Sequence, residues 1–188
     1  MKSIIVKAVL LFLFLSGGSP LSRANCGPRI SPFVDGHEEE RLQRIVELHD
    51  KGKEVIPLLI AEIGNHEIAP VVLANMFSSQ MPMSSPVYCG TVAAYLIELI
   101  LGNPNLSLKA LSDDRRLMLG GGPDNYVYVS GCIVESSTMN PIEGKSLLKV
   151  RNIYSKWWRD NSVKSLIDLR SDWQKGVRPL SGSRYRWY

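Results

Sequence analysis

The sequence predicts a mainly α fold, a compact helical domain, and three observations carry that expectation. Apolar residues recur at three- and four-residue spacing over several long segments. Glycines and prolines mostly fall between those segments, as stops and starts. The 188-residue chain is 45% hydrophobic and 21% charged, which excludes collagen-like, wholly disordered and multi-span membrane classes and suits one domain.

Taken in order, Lys2 and Lys7 precede an apolar run from Ala8 to Leu15, followed by Gly17-Gly18-Ser19-Pro20 and Ser22-Arg23-Ala24. The run is shorter than the roughly 20 residues a membrane span needs, and the small residues Ser22 and Ala24 stand at the −3 and −1 positions, so residues 1–24 read as a signal peptide cut after Ala24. An uncleaved anchor is the alternative. Lipidation at Cys26 fits poorly, because Arg23-Ala24-Asn25 lacks a small, apolar approach. A single helical domain is then expected over 25–176, with a tail over 177–188.

Residues 25–32, with Gly27, Pro28 and Pro32, predict an extended lead-in. A first helix follows, with Asp35 as its cap, acids Glu38, Glu39 and Glu40 at the positive end of its dipole, and Leu42, Ile45, Val46 and His49 on one face. Gly52 stops it. A second helix over 53–63 tolerates Pro57 in its first turn and is apolar nearly all round. Residues 65–86 predict a loop with one short helix around 71–77. The run 88–101 is apolar except for Thr91 and Glu98, as a central packed helix requires, and Gly102-Asn103-Pro104 ends it. Tyr126–Val129 and Cys132–Val134, around Ser130-Gly131, predict a small β-hairpin near 126–134 or an extended excursion. Asn140-Pro141 predicts a helix start, with Leu147, Val150, Tyr154, Trp157 and Trp158 along a face that ends near Asn161. A last helix is expected over 162–175, stopped by Gly176.

Gly52-Lys53, then Val55-Ile56-Pro57 and Leu58-Leu59-Ile60, resemble the helical units of HEAT-like repeat proteins, in which a proline precedes a buried aliphatic ridge. The resemblance covers residues 38–101, the 88–101 helix being compatible with a second such unit. It implies scaffolding or partner binding rather than chemistry.

Charge sharpens that expectation. The whole chain is formally +4, but residues 1–24 hold three cations and no acid, leaving +1 after the cut. Residues 25–144 carry −7 and residues 145–188 carry +8. A basic segment of this kind docks on the protein's own acidic part or on an anionic partner, and export argues against nucleic acid.

Three cysteines, Cys26, Cys89 and Cys132, allow three pairings. Cys89 with Cys132 is the preferred disulfide, both lying in apolar segments, with an all-reduced state as the alternative. Cys89 at a helix start also has the placement of a thiolate nucleophile, with His66 as the candidate base, although every histidine precedes it. The histidines are too widely spaced for a zinc signature, and Gly120-Gly121-Gly122 lacks the residues of a phosphate loop, so no cofactor or metal is expected. In the tail, Arg184-Tyr185-Arg186-Trp187-Tyr188 alternates cations with rings. Trp158, Arg184, Tyr185, Arg186 and Trp187 therefore form the candidate partner surface, while docking of the tail on the body is the favoured alternative for its aromatics.

The expected function is an exported, secreted or periplasmic, non-enzymatic interaction domain. It would engage a protein partner in the envelope or outside the cell, such as a toxin it neutralises, with no nucleic acid and no stable membrane span after cleavage. The competing readings are a cysteine hydrolase acting on envelope peptide and an anion-binding protein using its tail.

Overall fold

In the computed structural model, which describes residues 26–69, 87–107 and 132–187, the chain is mainly helical with one small antiparallel sheet. The expected signal peptide, the short helix at 71–77 and the 126–131 half of the expected hairpin lie outside the described residues.

The expected lead-in is instead a helix, α1 (Gly27–Val34). Pro28 sits in its first turn, where a missing N–H costs nothing, and burial of Ile30 and Val34 supplies the driving force that local composition lacks. Asp35 ends α1 and does not cap the next helix, α2 (Glu38–Lys51), which begins after extended His37. Gly52, at φ 61°, closes α2, a conformation that favours glycine, and a Cβ there would lie 2.9 Å from Leu166. One 3₁₀ turn, Gly52–Val55, leads into α3 (Ile56–Glu62), with Pro57 in its first turn as expected.

The core is organised around α4 (Cys89–Gly102), in which every residue from Cys89 to Leu101 is buried. It packs against α1, α2, α3 and the last helix. Such enclosure requires both ends to find partners for free backbone groups. At the N-terminal end, Cys89 N–H donates to Glu67 O (2.8 Å) and Gly90 N–H to Asn65 O (2.8 Å), beside a β-bridge joining Ile68 and Tyr88. Gly90 is required there, since a Cβ would lie 2.0 Å from Ile63 O. At the C-terminal end, Arg170 Nε donates to Ile100 O at 3.0 Å.

Strand β1 (Ile133–Glu135) pairs with β2 (Tyr185–Trp187) in the register Ile133 with Trp187 and Glu135 with Tyr185. The strand at 133–135 thus finds a ladder partner in the C-terminal segment. Its local return comes after it: Ile142 N–H donates to Ile133 O (2.9 Å), and Pro141 bridges Val134. That bridge holds Asn140-Pro141 out of the helix expected to start there, so α5 runs Leu147–Asn161, entered through a 3₁₀ turn at Gly144–Ser146. Helix α6 (Leu166–Gln174) is capped by Ser165, whose Oγ accepts from Asp168 N–H at 3.1 Å. The turn between them is held by Lys53, whose Nζ donates to Ser162 O (3.1 Å) and Lys164 O (2.9 Å).

Candidate functional site

Glu98 is the acid in the otherwise apolar run of α4, and it is 1% exposed. Its Oε1 accepts from the Tyr154 hydroxyl of α5 at 2.6 Å and its Oε2 from the Trp173 indole N–H of α6 at 2.6 Å. Trp187 of β2 donates in turn to the Tyr154 hydroxyl at 3.2 Å, and its ring meets Tyr95 of α4 edge-on with centroids 6.5 Å apart. The Arg178 guanidinium lies over the Trp173 ring, 4.3 Å from its centroid. Burial raises the Glu98 carboxyl above its ordinary range, opposed by the Tyr154 and Trp173 hydrogen bonds and by the Arg178 charge. Burial, followed by the Glu98 charge, pushes the Tyr154 phenol well up. Both Glu98 oxygens are engaged by groups of the protein itself, so this cluster is a clasp that joins α4, α5, α6 and the tail.

A second polar group sits at the C-terminal end of α4. His49, 5% exposed, places Nε2 at 2.6 Å from Asn103 O and 2.9 Å from Arg170 Nη2. One ring nitrogen cannot donate to the carbonyl and accept from the guanidinium at once, so one of these two contacts is a hydrogen bond. His49 Nδ1 is buried without a hydrogen-bond partner among the described residues, 3.5 Å from Asp50 Oδ1. Burial lowers the Arg170 guanidinium from its usual value.

The cysteines correct the expected pairing. Cys89 is bonded to Cys26, with Cα atoms 5.3 Å apart, and both are fully buried. Cys132 is free and half-buried, its thiol pushed up to about 11 by desolvation. The unforeseen helix α1 packs on α4 and brings Cys26 to the first residue of that helix. A disulfide-bonded Cys89 offers no thiolate, so the Cys89 and His66 pair of the hydrolase reading does not assemble. His66 is exposed, its Cβ 2.9 Å from where a Cβ on Gly144 would stand.

The expected partner surface divides in two. Tyr185 is 3% exposed, Trp187 packs against the core and Trp158 is half-buried against it, so these aromatics are spent on the fold. Strand alternation leaves Arg186 exposed, and Arg184, just before β2, is exposed as well. Arg184 stacks over Tyr185 at 5.1 Å and lies 3.6 Å from Glu135. On α5, Lys149, Asn152, Lys156 and Arg159 are all exposed at helical spacing. No ion pair engages Lys149, Lys156 or Arg159 among the described residues. Sequence reasoning located the basic quarter but not this stripe, although its spacing of three and four residues is visible in the chain.

Among the described residues, no group of three or more metal-ligating side chains could hold an ion, and no helix is long and apolar enough to cross a membrane. No known family model, curated protein or solved structure matches this chain.

Proposed function

We propose that this protein is an exported, non-enzymatic interaction domain that binds a protein partner through the basic exterior of its C-terminal quarter. The observation that carries this reading is the row Lys149, Lys156 and Arg159 on α5, three exposed cations without an ion pair among the described residues. Unneutralised charges on one helix face steer association and set specificity. Support for export comes from the Cys26–Cys89 disulfide, a bond that persists in oxidising compartments. The likeness of residues 38–101 to HEAT-like units points the same way, toward contact rather than chemistry.

The test places a photoreactive amino acid at Lys156, with exposed Leu58 of α3 as a control position. Adducts to a defined protein from Lys156, absent from Leu58 and lost when Lys149 and Arg159 are reversed to Glu, are the expected result. Equal adduct patterns from both positions would refute the reading.

A further inference from the structure

The acidic part of the chain forms a stripe of its own. On α2, Glu39, Gln43, Glu47 and Asp50 are exposed at spacings of four, four and three residues, which places them within one narrow arc of the helix. Glu47 accepts a hydrogen bond from Gln43 (3.1 Å), and Asp50 lies beside the His49 ring, but no Lys or Arg pairs with Glu39, Glu47 or Asp50 among the described residues. Lys51 flanks the C-terminal end of this stripe, as Asp160 flanks that of the basic stripe on α5. At 1.5 Å per residue the acidic stripe from Glu39 to Asp50 is about 16 Å long and the basic stripe from Lys149 to Arg159 about 15 Å.

Two stripes of opposite sign and similar length, each on the exposed face of a helix, have no ion-pair partner of the opposite sign among the described residues. Within the fold they do not pair: α2 packs on α1 and α4, whereas α5 packs on α3. We infer that the partner of the basic α5 face is a second copy of this chain, which presents its acidic α2 face. The inference rests on the interaction-domain reading and names its partner. Near-neutrality of residues 25–188, at +1, means that copies are not held apart by overall repulsion. Exposed ion pairs contribute little one by one, so the contact is weak, strengthened by cooperation along the stripe and sensitive to salt.

The experiment is sedimentation velocity of the purified protein over a range of concentrations, at about 0.05 M and about 0.5 M salt. Two variants accompany it, K149E/K156E/R159E and E39K/E47K/D50K, both confined to exposed positions and checked for unchanged circular dichroism. The expected result is a concentration-dependent rise in mass at low salt, abolished at high salt. Each variant alone, carrying two faces of one sign, stays monomeric, whereas their equimolar mixture associates again. A wild-type monomer at every concentration, variants that associate like the wild type, or a mixture that stays monomeric would each overturn the inference. If the protein is monomeric yet Lys156 still crosslinks to an unrelated protein, self-pairing fails while the interaction-domain reading stands.

Discussion

A carboxyl group enclosed in an apolar helix is costly unless its oxygens are bonded, and Glu98 meets that cost with Tyr154 and Trp173. Its folded-state pKa lies above the ordinary value of 4.5 because burial opposes its charge. A raised folded value means that its contribution to stability is complete below the unfolded pKa and is lost as pH rises through the higher folded one. Glu98→Gln removes the titration and keeps the shape, with an amide that can still accept from Trp173. As pH rises above about 4, the urea midpoint of the wild type should therefore fall relative to that of the Gln variant. Parallel midpoints across that range would show that Glu98 does not titrate differently on folding. The residue itself was visible in the sequence as a lone acid in an apolar run. Its partners were not, because Tyr154, Trp173 and Trp187 lie 56 to 89 positions away along the chain.

At the scale of elements, the C-terminal segment carries two roles at once. Residues 177–188 read as a basic and aromatic tail with docking of its aromatics favoured, and in the fold Tyr185 and Trp187 turn inward from β2 while Arg184 and Arg186 face solvent. A strand separates its two faces by simple alternation, so one short segment both completes the core and decorates the surface. Truncation after Gly176 removes the ladder partner of β1 and the indole that donates to Tyr154. A loss of at least about 3 kcal/mol is expected from denaturant melts, the usual cost of deleting buried aromatic packing. Arg184→Ala with Arg186→Ala should change stability by no more than about 0.5 kcal/mol, since both side chains are exposed. If the truncated and double-alanine proteins were equally stable, the aromatics would not be holding the segment down.

For the molecule as a whole, the Cys26–Cys89 bond links α1 to the first residue of the central helix across a sequence separation of 63. Closing a loop of that length removes unfolded-state entropy worth about 4 kcal/mol. Cys26→Ser with Cys89→Ser, or reduction of the wild type, should lower stability by about that amount in urea melts, while Cys132→Ser should leave the bond intact. No change on reduction would mean that the packing of Ile30 and Val34 alone anchors α1. The same closure leaves Cys89 without the free thiol a nucleophile needs.

By itself the sequence determined the helical class, the central helix at 88–101, the stop at Gly52, the proline-started helix behind it and the division of charge between the two parts of the chain. Each of these follows from local physics: period, backbone freedom and composition. Tertiary structure alone decided the helicity of residues 27–34, the pairing of Cys26 with Cys89, the ladder between residues 133–135 and 185–187, and the clasp at Glu98. All four depend on which distant surfaces meet, and burial against those surfaces outweighs the small local preferences that a single segment carries.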